Sequence, residues 1–271
     1  MSTITPKDKE AFEANGFHVL RAAVSANEIA RLKEALARML LTPAEHPYAK
    51  NLADAPEIAT SPPNNPRGVW AAFNLQLFDD IFWDFAYHPA IALAVDALIG
   101  ADINLYETAS IHKVPGFPNN YRDWHQDSEY SDPQSDDRNV TVITFLDEMD
   151  GESGATWVVP GSHKQGALPH ILPSENLSSK AKEVKDKHLC APNGVAFAYQ
   201  PGDVLIFLVR VVHKSGANQS GELKSSIAYN YCSRSTLDLA RINGFVGAYL
   251  PITRNGAIYR PGAPFLNEAK P

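Results

Sequence analysis

The feature that most constrains the fold is a series of short apolar, β-branched runs that begins at Ile103 and continues to Tyr231. Turn signals separate several of them, as at Pro115-Gly116, Pro160-Gly161 and Pro201-Gly202. No helical period alternates with these runs, as it would in a chain of β-α-β units. The pattern predicts a mainly β protein with N-terminal helices: a double-sheet jelly roll with the helices packed on one side. The predicted strands are Ile103–Lys113, Asn139–Leu146, Thr156–Val159, Val195–Tyr199, Asp203–Leu208 and Ser226–Tyr231.

The first hundred residues carry helical signals. Thr5-Pro6 is typical of an N-cap followed by proline in the first turn, and Gly16 lies where that helix should end. Ser25-Ala26-Asn27-Glu28 has the capping-box pattern, and apolar residues recur behind it at helical spacing. Further helices are predicted over Phe78–Phe85 and Pro89–Ile99. A helical lead-in therefore precedes the predicted strands.

Composition places the chain among ordinary globular proteins. Its 271 residues include 44% hydrophobic and 20% charged residues, which is enough for one large core. We therefore predict a single domain over 1–271, with a mostly helical lead-in (1–100) and a jelly-roll core (101–250). The two cysteines, Cys190 and Cys232, form no close metal-binding pair and are expected to be small buried residues in a reducing cytoplasm.

Charge and hydropathy exclude two classes of partner. A formal net charge of -7 does not provide the basic stripe that nucleic-acid binding needs. No apolar run approaches the roughly 20 residues that cross a bilayer. We therefore expect neither a nucleic-acid nor a membrane partner, while a homo-oligomer remains open.

The segment His125-Gln126-Asp127 carries potential metal ligands. In an extended backbone, residues i and i+2 point to the same side, so His125 and Asp127 could reach one ion. His213, which follows an apolar run, could supply a second imidazole. Two histidines and a carboxylate occupy one face of an octahedral Fe(II) and leave the opposite positions open. The plain alternatives are a polar loop for the tripeptide and a hydrogen-bonded core residue for His213.

Motifs around these residues, in their order along the chain, resemble the phytanoyl-CoA dioxygenase family. They are Phe12–Leu20, Trp124–Asp127, Asp150–Thr156, Val158–Lys164, Pro201–Asp203 and His213–Asn218. The resemblance implies a double-stranded β-helix (jelly-roll, cupin-like) core. It also implies a dioxygenase that uses Fe(II), O2 and 2-oxoglutarate, with His125, Asp127 and His213 as metal ligands and catalytic residues. Relatives that are halogenases replace the carboxylate ligand by Gly or Ala, so Asp127 argues against halogenation.

The chain departs from the family at the usual 2-oxoglutarate anchor. The family has an arginine eleven residues after the distal histidine, and Lys224 occupies that position here. Lysine supplies the charge without the two-pronged geometry of arginine. Ser226 would share its strand face, and Lys113 resembles the Lys-x-Pro-Gly segment that borders the co-substrate. We predict that Lys224, Ser226 and Lys113 bind 2-oxoglutarate; in the alternative, Lys224 is a solvated loop lysine and another cation, such as Arg234, replaces it.

The predicted reaction oxidises, and most simply hydroxylates, a C–H bond of a small molecule, with release of succinate and CO2. The loop Pro62–Trp70, Tyr106 and a lid over Phe117–Arg122 are expected to line the substrate pocket, and Arg67 and Arg122 could bind an acidic group. Two alternatives stay open: a metal-dependent cupin-like oxygenase that does not use 2-oxoglutarate, and a non-catalytic binding protein on the same fold.

Overall fold

A computed structural model gives the fold of residues 4–54, 62–100, 102–117, 120–129, 138–172, 182–187, 191–236 and 249–260. The α-helices of these residues are α1 (Pro6–Asn15), α2 (Ala26–Leu40), α3 (Ile81–Phe85) and α4 (Pro89–Ile99). Their strands are β1 (Phe17–Leu20), β2 (Leu52–Asp54), β3 (Val69–Phe73), β4 (Ile103–Lys113), β5 (Arg122–His125), β6 (Asn139–Phe145), β7 (Thr156–Val158), β8 (His170–Ile171), β9 (Glu183–Val184), β10 (Val195–Ala196), β11 (Val204–Leu208), β12 (His213–Ser215), β13 (Lys224–Ser233), β14 (Leu250–Pro251), β15 (Thr253–Arg254) and β16 (Ala257–Ile258).

The described strands form two main antiparallel sheets. The larger sheet has the order β1-β11-β6-β13-β4-β3-β2, with β14 added beside β4. The smaller sheet has the order β10-β7-β12-β5, and two short pairs, β8-β9 and β15-β16, lie outside both. The prediction of a mainly β, jelly-roll protein with N-terminal helices is confirmed. Within these residues, no helix combines the length and the apolar character that a bilayer crossing requires.

The helix boundaries follow from local capping. Thr5 and Ser25 each accept a hydrogen bond from a backbone N–H in the first turn, and the Asp8 and Glu28 carboxylates accept one from the backbone N–H of the cap residue. These capping boxes satisfy amide groups that the helix itself leaves unpaired. The first helix ends at Gly16, whose left-handed conformation (φ 83°) suits glycine.

Helices α3 and α4 cover the outer face of the larger sheet. The Tyr229 hydroxyl on β13 donates to the Phe82 carbonyl, and the Tyr231 hydroxyl donates to the Ala86 carbonyl. Side chains alternate along a strand, so Ala228 and Asn230 point to the inner face, where both stay partly exposed. The inner face of β13 therefore borders open space.

Aromatic contacts join the two sheets. The Phe145 ring on β6 stacks on Tyr199, next to the smaller sheet, with centroids 3.8 Å apart. The Phe207 ring on β11 contacts the His213 ring on β12 at 4.6 Å. These contacts place the inner face of the larger sheet against the smaller sheet. A second, small apolar cluster lies behind the smaller sheet and consists of Trp124, Val159, Val184 and Val212.

The first hundred residues contain more strand than their sequence indicates. Phe17–Leu20 pairs with β11, and Val69–Phe73, which begins at the end of the predicted loop Pro62–Trp70, pairs with β4. Both strands obtain their hydrogen-bond partners from distant parts of the chain, which a local pattern does not reveal. The proposed division at residue 100 remains a prediction, and its outermost residues, 1–3 and 261–271, lie outside the described ranges.

Candidate metal centre

The two candidate histidines lie on neighbouring strands of the smaller sheet. His125 ends β5, His213 begins β12, and the two residues are register partners with ring centroids 4.1 Å apart. Asp127 does not continue the strand: it opens a short 3-10 helix, Asp127–Glu129. The expectation that an extended backbone aligns His125 with Asp127 is therefore wrong. The turn after β5 brings the carboxylate back toward the imidazoles instead.

The ligand atoms of these three residues converge. Asp127 Oδ1 lies 3.5 Å from His125 Nε2 and 3.5 Å from His213 Nε2. All three candidate ligand atoms fall within 4.8 Å of one another, and the three residues form a group that could hold a metal ion. One cation could thus contact two imidazole nitrogens and one carboxylate oxygen at once.

Hydrogen bonds fix the other polar atom of each residue. His125 Nδ1 lies 2.7 Å from the Asp123 carbonyl oxygen, and His213 Nδ1 lies 3.0 Å from the Val211 carbonyl oxygen. A carbonyl only accepts, so each Nδ1 carries the proton and each Nε2 presents its lone pair to the centre. Thr141 Oγ1 donates to Asp127 Oδ2 at 2.6 Å, which leaves Oδ1 for the shared point.

Burial and charge hold His125 and Asp127 in the ionisation states that metal binding needs. Burial and the adjacent His213 lower the pKa of His125 to about 4, so its imidazole is neutral at pH 7. Burial alone would raise the pKa of Asp127, but the neighbouring imidazoles and the Thr141 hydroxyl lower it below its ordinary value. Neutral imidazoles and an ionised carboxylate are the forms that bind divalent metals.

The residues predicted to bind 2-oxoglutarate lie at one end of the larger sheet. Lys113 ends β4, Lys224 begins β13, and the two are register partners; Ser226 is two residues along from Lys224. Lys113 is only 3% exposed, and its ammonium donates to Ser215 Oγ (2.9 Å) and to the Asn120 carbonyl. Ser215 is two residues from His213, so Lys113 reaches the border of the metal centre.

Lys224 has a different environment. Its ammonium pairs with Glu222 at 2.9 Å; the Lys224 side chain is 15% exposed and that of Glu222 is 77% exposed. By contrast, the pKa of the more deeply buried Lys113 is lowered to about 7 by burial and by the nearby Arg122. Arg234 follows the far end of β13, the opposite end from Lys224, so it cannot replace that lysine at the same place.

The two arginines considered for an acidic substrate lie apart. Arg67 donates to the Asp54 carboxylate and to the Thr42 carbonyl, so its guanidinium links the loop that contains Arg67 to these two residues. Arg122 is the register partner of Ser215 and lies close enough to lower the pKa values of His125 and Lys113. Residues 118–119 of the predicted lid lie outside the described ranges.

Thr141 and Ser215 also belong to the site, although the sequence pattern did not indicate them. Thr141 lies in an apolar β-rich run, where a threonine is expected on β-propensity alone. Ser215 stands in the His213–Asn218 motif, and its spacing of two residues from His213 is the signal that could have identified it. Lys113, the partner of Ser215, lies 102 residues away in the sequence, and Asp127, the partner of Thr141, lies 14 residues away outside the strand of Thr141.

Comparison with known proteins agrees with this architecture. The phytanoyl-CoA dioxygenase family model matches residues 12–226. A probable phytanoyl-CoA dioxygenase of Caenorhabditis elegans is 24% identical over 252 residues, covering 90% of this chain and 80% of the relative.

Two solved structures share the fold. EctD from S. alaskensis, with 2-oxoglutarate and 5-hydroxyectoine, has a TM-score of 0.69 and 22% identity over 86% of this chain and 77% of its own. EvdO2 from Micromonospora carbonacea var. aurantiaca, complexed with 2-oxoglutarate, has a TM-score of 0.69 and 23% identity over 86% of this chain and 92% of its own. With the family model matching most of its length, the chain belongs to the phytanoyl-CoA dioxygenase family.

Proposed function

We propose that this protein is an Fe(II)- and 2-oxoglutarate-dependent dioxygenase that hydroxylates a C–H bond of a small molecule. One observation carries the proposal: two imidazole Nε2 atoms and one carboxylate oxygen converge, while their other polar atoms are hydrogen-bonded elsewhere. Membership of a dioxygenase family and the 2-oxoglutarate complexes of two structural neighbours support it.

The donor set suits Fe(II). Two neutral imidazoles and one carboxylate are the facial set found in non-haem iron oxygenases, and we assign His125, Asp127 and His213 as the ligands. Fe(II) held there together with 2-oxoglutarate would supply O2 activation, with one oxygen atom passing to succinate, the other to the hydroxylated product, and CO2 released. The protein holds the two rings in one tautomer, keeps Asp127 ionised, and limits the access of water to the buried centre.

We assign Lys113 as the principal contact of the far 2-oxoglutarate carboxylate, with Ser215 beside it. Lys113 is buried, reaches the border of the metal centre, and can form charge-assisted hydrogen bonds to a carboxylate. Lys224 and Ser226 are adjacent on the neighbouring strand and add a second charge and a hydroxyl. This order differs from the sequence-based expectation, which put Lys224 first.

The two lysines provide a matched test of that assignment. Removing a charged hydrogen-bond partner costs about 1.5–3 kcal/mol, so Lys113→Met should raise the dissociation constant of 2-oxoglutarate on the order of tenfold or more. Lys224→Met should raise it less, because its ammonium is already paired with Glu222. Anaerobic titration of each Fe(II)-loaded variant measures both constants. A larger effect at Lys224 would contradict the assignment.

The proposed activity is tested by an anaerobic titration of Fe(II) and 2-oxoglutarate. We expect a visible metal-to-ligand charge-transfer band in the wild type and its loss in Asp127→Ala. Stoichiometric iron binding without the band would favour the cupin-like oxygenase that does not use 2-oxoglutarate. Succinate release in air then separates an enzyme from a binding protein.

We also propose that the enzyme acts in the cytoplasm. The small number of cysteines supports this location, and Cys232 is buried as expected, whereas Cys190 lies outside the described ranges.

A further inference from the structure

A row of side chains crosses the inner face of the larger sheet at the level of the metal centre. Glu107 on β4 is the register partner of Asn230 on β13, Asn230 of Thr141 on β6, and Thr141 of Phe207 on β11. Register partners share one face of a sheet. Thr141 donates to Asp127, and Phe207 contacts the ring of His213, so two members of the row touch the candidate ligands.

Glu107 therefore lies within the reach of a small molecule bound at the centre. Neighbouring strands are about 4.8 Å apart, which places the Glu107 backbone roughly 10 Å from that of Thr141. Glu107 and Asn230 are both partly exposed, as expected for side chains that border open space.

A β-bulge lies at the Glu107 end of the row. The register of β13 with β4 shifts between Asn230 and Tyr231, whose partners are Glu107 and Leu105, so Tyr106 is left between two pairs. The Tyr106 hydroxyl donates to Asn139 Oδ1, two residues from Thr141 on β6. Bulges re-aim side chains and are frequent beside active sites.

The end of the row formed by Glu107 and Asn230 presents hydrogen-bond acceptors. Asn230 Nδ2 donates to Glu107 Oε2 at 2.7 Å, so one of the two N–H donors of the amide holds the carboxylate in place. Asn230 Oδ1 is buried and has no hydrogen-bond partner among the described residues. A buried acceptor without a donor is costly, and it adds a second electronegative atom beside the Glu107 carboxylate.

Charge is distributed unevenly across the site. Lys113, Lys224 and Arg122 lie toward the co-substrate end of the sheet, whereas Glu107 lies six residues away from Lys113 along β4. Among the described residues, no lysine or arginine forms a salt bridge with Glu107. Burial, together with the charge of Asp127, raises the pKa of Glu107. A cation would relieve both effects, and a second anion would intensify them.

We propose that Glu107, positioned by Asn230, binds a protonated amine of the primary substrate, so that the enzyme oxidises a cationic, nitrogen-containing small molecule. The inference rests on the proposed function for the reaction. Substrate recognition, in contrast, is argued from Glu107 and Asn230, which are not metal ligands. Because the Glu107 backbone lies roughly 10 Å from that of Thr141 beside the metal centre, the oxidised carbon lies several bonds from the ammonium group. The dicarboxylate co-substrate and the cationic substrate then occupy opposite ends of one site.

Three probes of equal length test the proposal: hexylammonium, hexanol and hexanoate. Calorimetric titration uses the protein loaded with Fe(II) and 2-oxoglutarate without oxygen. We expect hexylammonium to bind the wild type most tightly, and Glu107→Gln to weaken it at least tenfold with little change for hexanol. Glu34→Gln, an exposed carboxylate on α2, serves as the matched control and should change nothing. Equal binding of the three probes, no binding of hexylammonium, or an unchanged constant in Glu107→Gln would each overturn the proposal.

A second variant keeps the proposal testable if Glu107→Gln does not fold. Asn230→Ala removes the amide that donates to Glu107 without placing a second carboxylate beside it, so hexylammonium should bind more weakly than in the wild type, with little change for hexanol. Unchanged binding of hexylammonium in this variant would count against the proposal. The charge-transfer band separates the two levels of inference: its absence in the wild type removes the proposed function, whereas its presence in Glu107→Gln with unchanged amine binding removes only the substrate class.

Discussion

At the scale of single residues, the centre depends on atoms that do not face the metal position. The Asp123 and Val211 carbonyls set the tautomers of the two histidines, and Thr141 occupies the second oxygen of Asp127. These contacts orient the ligand atoms before any ion binds. Outer contacts of this kind are typically worth 10–100-fold in metal affinity.

Thr141→Val should therefore weaken Fe(II) binding by about tenfold, because it removes the hydroxyl that orients Asp127 while keeping the side-chain shape. Thr144→Val is the matched control: the same residue type on the same strand, but facing away from the centre. Anaerobic calorimetric titration with Fe(II) measures both. Equal affinities in the two variants would mean that Thr141 does not position the ligand.

At the scale of elements, β5 is held in place from behind. Trp124, which precedes His125, lies in the small apolar cluster with Val212, and the Lys214 ammonium lies 4.7 Å from its ring centroid. Gly194 packs directly against that ring: a Cβ at this position would lie 2.4 Å from Trp124. The position of His125 thus depends on the absence of a side chain about seventy residues further along the chain.

Gly194→Ala should push Trp124 and β5 outward, with a loss of about 1–3 kcal/mol of unfolding free energy and weaker Fe(II) binding. Gly151→Ala offers the comparison, since its Cβ would meet the Trp157 ring at an ordinary 3.4 Å. Urea unfolding gives the stability and metal titration gives the affinity. If the two variants behave alike, the close packing at Gly194 has no role in placing the strand.

At the scale of the whole molecule, the two sheets bury an ammonium group at the edge of the site. The pKa of Lys113 falls from 10.5 to about 7 on folding, mainly through burial. Between these values the unfolded chain binds a proton that the folded protein has released. Stability therefore increases with pH across this window and is lost as the pH falls toward 7.

Lys113→Met should remove this contribution. We expect the stability of the wild type relative to the variant to increase from pH 7 to pH 9 by up to about 1.4 kcal/mol per pH unit. Urea unfolding of both proteins at three pH values measures the difference. Parallel curves would show that Lys113 keeps its ordinary pKa in the folded protein.

Much of the fold could be predicted because its signals are local. The strand Ile103–Lys113 has the predicted bounds, and the caps at Thr5 and Ser25 begin helices as expected. Alternation and capping depend on neighbours within a few residues. Strands β1 and β3 escaped prediction because their partners are far away in sequence.

The sequence by itself determined the kinds of ligand, two histidines and an aspartate, and the family whose motifs surround them. Only the tertiary structure decided how they meet: His125 faces His213 across two strands, and Asp127 returns through a 3-10 turn. It also decided which lysine is buried, Lys113 rather than Lys224, and that Glu107 joins the row of Thr141. The physical reason is that the sequence gives the residue type at each position directly, whereas register and burial arise from packing between strands that are distant in the chain.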